Sequence, residues 1–184
     1  MISIARMDES TRQHFNQMDS RCLVGERITL SVRPGGFMLS YKPLPKAEWL
    51  AFPPYAGMSA DGLLKEDNAA CYLAFMEGKP AGQMVAFENE YALAVIDDMR
   101  VDVRFRRSGI GKVFIETVTE WAIKRGLKGI TAQTQDSNPQ ACQFFEACGM
   151  KLGGVDRCLL RGITDPAAAR VGIFDTALFF YRFF

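Results

Sequence analysis

Apolar and polar positions alternate with a period of two over residues 69–76, 81–87 and 92–103, which predicts three strands. The turns between them, Glu77-Gly78-Lys79-Pro80 and Glu88-Asn89-Glu90, are short enough to make an antiparallel meander. From Gly109 to Gly126 the period becomes helical, with Ile110, Val113, Phe114, Val118, Trp121 and Ala122 on one face. Lys124 and Arg125 in the last turn and Gly126 after it mark the stop. Residues 130–135 then predict a strand, Asn138-Pro139 opens a helix running to Cys148, and residues 152–160 and 173–183 predict closing strands.

The first third is less regular. Residues 7–25 predict a helix and its exit, and residues 28–32 and 36–41 predict short strands around a Pro34-Gly35-Gly36 turn. Between Pro43 and Asp67 the prolines 43, 45, 53 and 54 mix with Trp49, Phe52 and Tyr55, which predicts a loop with one short helix. That loop is either a surface excursion pinned by its aromatics or a wall of a substrate cleft. A meander followed by strand, helix, strand, helix, strand implies a mixed α/β (α+β) fold. Its sheet is largely antiparallel with a parallel central pair, and helices flank it. With no repeat and no low-complexity tract, residues 1–184 read as one domain.

Composition narrows the function classes. Twenty-two basic residues against 21 acidic ones give a net charge of +1, too little to draw the chain onto nucleic acid or a membrane. The N-terminal stretch lacks the apolar run of a signal peptide, and no later run is long enough to span a bilayer, so a cytoplasmic protein is expected. Five cysteines with no Cys-x-x-Cys pair read as free buried thiols. One histidine, His14, and no clustered thiolates give no basis for a metal site. The aromatic end formed by Phe174, Phe179, Phe180, Tyr181, Phe183 and Phe184 reads as a closing strand, a homodimer contact being the alternative.

The chemistry is concentrated where the third meander strand runs through a basic, glycine-bearing turn into the amphipathic helix: Arg106-Arg107-Ser108-Gly109-Ile110-Gly111-Lys112. Unbonded N–H groups at a helix start converge on one spot, the helix dipole favours an anion there, and glycines admit phosphate oxygens close to the backbone. Two familiar phosphate motifs fail. A P-loop ending at Gly111-Lys112 would need glycine at Arg106 and Ser or Thr at Val113, and a dinucleotide fingerprint from Gly109 would need a small residue at Phe114.

Arg106-x-x-Gly109-x-Gly111, followed by Asn138 and then Phe145-x-x-x-Gly149, resembles the GNAT acetyltransferases. The resemblance extends to their streptothricin acetyltransferase branch through Gly36-Phe37, Ala70-Cys71-Tyr72, Thr134-Gln135, Pro139-x-Ala141-Cys142, Leu152-Gly153-Gly154-x-Asp156 and Asp175-Thr176-Ala177-x-x-x-Tyr181. It implies acetyl-coenzyme A as acetyl donor and direct attack by an amine in a ternary complex. It places Met99, Arg100 and Val101 along the pantetheine arm, Arg106 and Arg107 to Lys112 at the pyrophosphate, and Asn138 against the cofactor. The implied acceptor is a primary amine of a cationic small molecule, streptothricin foremost. Another amine, such as a polyamine, an aminoglycoside or a protein N-terminus, and a non-catalytic sensor of acetyl-coenzyme A are the alternatives.

Two positions depart from the family. Phe145 stands where a tyrosine often protonates the leaving thiolate, and Gln133 stands where some members place a glutamate. For the base, Asp97 and Asp98 interrupt an apolar strand just before the expected thioester site, and strand alternation would turn only one of them to the cleft. Asp97, sharing parity with Met99 and Val101, is the expected ammonium binder or base. Asp98 and Tyr181 are further candidates for the substrate site.

Overall fold

The structure is a computed structural model that describes residues 2–162 and 175–184. Contacts group the chain into two compact units. The first comprises Met1–Cys22, Leu50–Ile130 and Phe183–Phe184, and the second comprises Leu23–Trp49 and Thr131–Arg182.

In the first unit, strands β1 (Ile2–Arg6), β4 (Ala69–Met76), β5 (Lys79–Glu88) and β6 (Leu93–Val101) lie side by side in that order. All three neighbouring pairs are antiparallel. The meander is therefore as the alternation predicts, with β1 added at its edge. Residues 7–25 do not form the expected helix. Arg12–His14 make a single 3-10 turn, and Asp8 folds the chain there by accepting from Ser10 and Thr11. Asp8, Ser10, Thr11 and Asn16 all prefer such local bonds to a helix ladder. Met7 and Met18, on either side of that turn, instead join Leu63, Cys71, Leu73 and Val85 in a buried cluster.

Helix α2 (Ile110–Lys124) covers this sheet with Ile110, Phe114, Ile115, Val118, Trp121 and Ala122 buried, the predicted face apart from Val113. Its first turn comes close because β5 carries Gly82. A Cβ there would stand 2.9 Å from the Arg100 carbonyl and 3.0 Å from the Phe114 ring. The far end is held by Arg125, which pairs with Glu88 at 2.8 Å and lies over the Trp121 ring. Strand β7 (Gly129–Gln135) begins in this unit beside β6, and the α2 crossover makes that neighbour the parallel one.

The second unit takes up most of β7, helix α3 (Pro139–Ala147), and strands β8 (Lys151–Asp156) and β9 (Ala177–Phe183), in the sheet order β7, β9, β8. It also holds almost all of a two-stranded hairpin of β2 (Cys22–Arg33) and β3 (Gly36–Leu50), turning at Gly35 with φ of 92°. The sequence reading stopped this hairpin at Tyr41 because of Pro43 and Pro45. A two-stranded ribbon leaves each strand one edge that needs no N–H donor, so prolines are tolerated and β3 runs on to Leu50. The loop shrinks to residues 51–59, and the short helix is α1 (Ala60–Leu63).

The mixed α/β class, the mostly antiparallel sheet with one parallel pair and the flanking helices are as expected. Of the closing strand expected over residues 173–183, the described part runs Ala177–Phe183, and Ile173 and Phe174 lie outside the described residues. Among the cysteines, 22, 71 and 142 are buried thiols, but Cys158 is exposed. No helix among the described residues is long and apolar enough to cross a membrane.

Candidate active site

The basic turn is braced before it reaches the helix. Asp102, at the end of β6, is only 1% exposed, and its carboxylate accepts from the amides of Asp19 and Arg104 at 3.1 and 3.0 Å and pairs with the Arg104 guanidinium at 2.8 Å. Hydrogen bonds from Arg104 hold its carboxyl below the usual carboxylate range, against the opposing effect of burial. Next, Arg106 turns inward, donating from Nη2 to the Ser20 carbonyl at 2.7 Å and from Nε to the Val101 carbonyl at 3.2 Å. Its charge thus supports the loop, whereas the expectation had placed Arg106 at the pyrophosphate. The Ser108 hydroxyl donates to the Phe105 carbonyl at 2.5 Å.

Beyond Arg106 the backbone opens. Arg107 (φ 62°) and Gly109 (φ 96°) are both left-handed, and Gly109 is the N-cap of α2 with no side-chain cap. The amides of Ile110, Gly111 and Lys112 therefore start a 15-residue helix with no capping acceptor. Arg107, Ser108, Gly109 and Lys112 are exposed, and the space around Gly109 is open. A concave run of amides, an uncapped helix dipole and two exposed cations fit a pyrophosphate. The expected cofactor residues Arg107 to Lys112 lie together at this turn, and the Arg106 side chain donates to the Ser20 and Val101 carbonyls.

Strand β6 supplies the second part of the site. Its pairing with β5 shifts register between Val85 and Ala86: Val85 faces Asp98 and Ala86 faces Ile96, so Asp97 is an extra residue in a β-bulge. The bulge interrupts the alternation on which the choice between the two aspartates rested. Asp98 is nearly buried, with 8% of its side chain exposed, and forms a bidentate pair with Arg100, which also donates to the Pro53 carbonyl at 2.9 Å. Asp97 is exposed, pairs with no cation among the described residues, and accepts from the Tyr55 hydroxyl at 2.6 Å. The two carboxylates thus differ in kind, one neutralised and one available. Met99, Arg100 and Val101 follow, registered against Met84, Gln83 and Gly82 of β5.

The remaining candidates belong to the second unit. Asn138 is the N-cap of α3, its Oδ1 accepting from the Ala141 amide at 3.2 Å, which leaves its Nδ2 as the group able to meet a ligand. Phe145 is buried against Phe144 and Phe180, each ring centroid 5.5 Å away. Tyr181 lies over Gly153, where a Cβ would come within 2.7 Å of its ring; Gly153 is the bulged residue between Leu152 and Gly154 in the β8–β9 pairing. Gly153 is thereby explained by packing. Tyr41 donates to Glu146 at 2.7 Å, and burial together with that carboxylate raises its phenol well above its ordinary value.

Sequence reading missed Tyr55, Asn16, Gln83 and Asp102. Asp102 has a local signal, since an Asp two residues before the end of a short turn commonly caps it. Tyr55 lies 42 residues from Asp97, and Asn16 and Gln83 are 67 residues apart, so no local pattern joins them.

The acetyltransferase (GNAT) family model matches residues 37–150. Over 118 residues the chain is 32% identical to streptothricin acetyltransferase of Escherichia coli, 64% of each chain. Over 120 residues it is 28% identical to streptothricin acetyltransferase A of Bacillus subtilis (strain 168), 65% of this chain and 66% of the relative. The matched region therefore spans just under two thirds of each curated relative. Among solved structures, one from Bacillus anthracis str. Ames, assigned as a streptothricin acetyltransferase and bound to acetyl coenzyme A, covers 100% of both chains with a TM-score of 0.87 at 24% identity. Nourseothricin acetyltransferase covers 98% of this chain and 96% of its own, with a TM-score of 0.79 at 19% identity. These likenesses establish a shared fold.

Proposed function

The chain belongs to the GNAT acetyltransferase family, and on that premise we propose that it transfers the acetyl group of acetyl-coenzyme A to a primary amine of a cationic small molecule, streptothricin foremost. The observation that carries the reading is the uncapped start of α2, flanked by left-handed Arg107 and Gly109, which suits a pyrophosphate. The streptothricin assignment is supported by the two curated relatives and by the match over the full length of the Bacillus anthracis structure. The same full-length match supports treating residues 1–184 as one acetyltransferase domain.

Acetyl-coenzyme A, when bound, supplies an activated thioester. The chain's own residues bind and orient. The amides of Arg107 to Lys112 hold the pyrophosphate, and the Arg107 and Lys112 side chains add charge. The Met99 to Val101 segment, registered against Met84, Gln83 and Gly82 of β5, is the stretch of β6 that would line the pantetheine arm. Asn138 contributes Nδ2. Asp97 meets the acceptor's ammonium, for it is an exposed carboxylate that pairs with no cation among the described residues, while Asp98 is already balanced by Arg100. An amine with a reference pKa of about 10.4 must lose a proton before attack, and Asp97 takes it through water. Tyr181 stays a proposed substrate contact through its place in the β9 end.

Phe145 has no hydroxyl and is buried against Phe180, so it cannot protonate the leaving thiolate. A thiol with a reference pKa of about 8.5 leaves without a strong acid, so turnover remains compatible with this residue. The same observation favours a second reading, an acetyl-coenzyme A sensor. A thiol-release assay with streptothricin, spermidine and a peptide acceptor separates them: release with streptothricin supports the enzyme, and tight coenzyme binding without release from any acceptor supports the sensor. Acetylating streptothricin would remove a positive charge, weakening its hold on ribosomal RNA and conferring antibiotic resistance.

A further inference from the structure

Among the described residues Asp97 accepts from the Tyr55 hydroxyl, and a set of hydrogen bonds fixes Tyr55 in place. The Asn16 amide group brackets the Tyr55 backbone, donating to its carbonyl at 2.8 Å and accepting from its N–H at 3.0 Å. Asn16 sits at a φ of 62°, a left-handed conformation that asparagine tolerates better than most residues. Its own N–H donates to Gln83 Oε1 at 2.7 Å. Gln83, with no exposed surface, returns Nε2 to Asn16 Oδ1 at 3.1 Å and to Asp98 Oδ2 at 2.8 Å. Every polar atom of this buried amide is used. The Tyr55 ring packs edge-on against Phe15 and joins the cluster around Met7 and Leu63. A residue in an irregular, proline-rich loop is thus locked at its backbone and ring, with its hydroxyl left to point at the bulge.

We propose that Tyr55 is the positioning residue of the acceptor site: its hydroxyl occupies Oδ2 of Asp97, fixes the carboxylate rotamer and leaves Oδ1 as the single acceptor for a primary ammonium. The inference rests on the acetyltransferase reading above. A free aspartate turns about two torsions, and an exposed one on a bulge samples several directions. One hydrogen bond of 2.6 Å, from a donor held at its backbone by Asn16 and at its ring by Phe15, selects one of them. Because Arg100 already balances Asp98, the site offers one negative charge, which suits one ammonium at a time. Burial and the Asp97 carboxylate push the Tyr55 phenol above its ordinary value, so it stays a donor at neutral pH.

The test is a double-mutant cycle of Y55F and D97N on kcat/KM for streptothricin and spermidine, with the KM for acetyl-coenzyme A and the melting temperature followed in parallel. Phenylalanine keeps the ring on Phe15, so the fold is retained. Y55F should lower kcat/KM for the amine roughly ten-fold, the scale of one hydrogen bond to a charged group. In the D97N background the Y55F effect should vanish, while the KM for acetyl-coenzyme A stays constant throughout. Equal losses from Y55F in both backgrounds would show that Tyr55 acts independently of Asp97 and would overturn the inference while leaving the acetyltransferase reading intact. No turnover by the wild-type chain with any amine overturns that reading, and this inference with it.

Discussion

At the scale of single residues, charge and exposure separate groups that composition treats alike. Two adjacent aspartates have different fates because Arg100 reaches one and Tyr55 the other. D97N should lower kcat/KM for the amine by roughly 100-fold, the lower end of the usual effect of a general base; unchanged turnover from pH 6 to 9 would remove Asp97 from the mechanism. Two adjacent arginines divide in the same way. Arg106 is spent on the carbonyls of Ser20 and Val101, so R106A should lower stability by about 1–3 kcal/mol, read from denaturant melts. Arg107 is exposed, so R107A should leave the melt unmoved and raise the KM for acetyl-coenzyme A. Were both variants to act alike, the division would be wrong.

At the scale of elements, the site depends on how β5, β6 and α2 meet. Gly82 lets the first turn of α2 approach β5, and the bulge at Asp97 resets which β6 residues face outward. Gly109 has open space around it, so alanine there meets no atom; its cost is a left-handed φ of 96°, about 1–2 kcal/mol. G109A should therefore still fold but weaken coenzyme binding, as calorimetric titration with coenzyme A would show. G82A should instead fail on packing, because its Cβ would meet a backbone carbonyl at 2.9 Å. The meander and α2 were legible in advance because each shows its period over a long enough stretch, and α3 because Asn138-Pro139 marks its start. The helix expected over residues 7–25 was not real, since its polar residues bond locally and its apolar ones serve a cluster assembled from β4 and β5. β3 was underestimated because proline signals a break only where both strand edges are paired.

For the whole molecule, titration reports which buried groups hold the fold. Asp102 is held below its ordinary value near 3.8, so its contribution to stability is present above about pH 4 and is lost as pH falls through the lowered folded value. D102N should be less stable than wild type at pH 7, and the gap should narrow on acidification below pH 4; a gap independent of pH would refute the assignment. Burial pushes the thiols of Cys71 and Cys142 up to about 12, which keeps them protonated and unreactive. Iodoacetamide at pH 8 should label exposed Cys158 first and reach Cys71 and Cys142 only on unfolding.

What the sequence determined by itself was the order of elements and the basic glycine turn at the mouth of α2, because both are written in residues adjacent along the chain. Period, cap and glycine are local properties, and an anion site at a helix start needs little else. Tertiary structure alone decided the surroundings of the two aspartates proposed for the acceptor side. Asp98 is balanced by Arg100 two residues on, but what Asp97 meets depends on a distant segment: Tyr55, 42 residues back, itself held by Asn16, which Gln83 anchors. Hydrogen bonds and burial act through space, and no spacing along the chain encodes them.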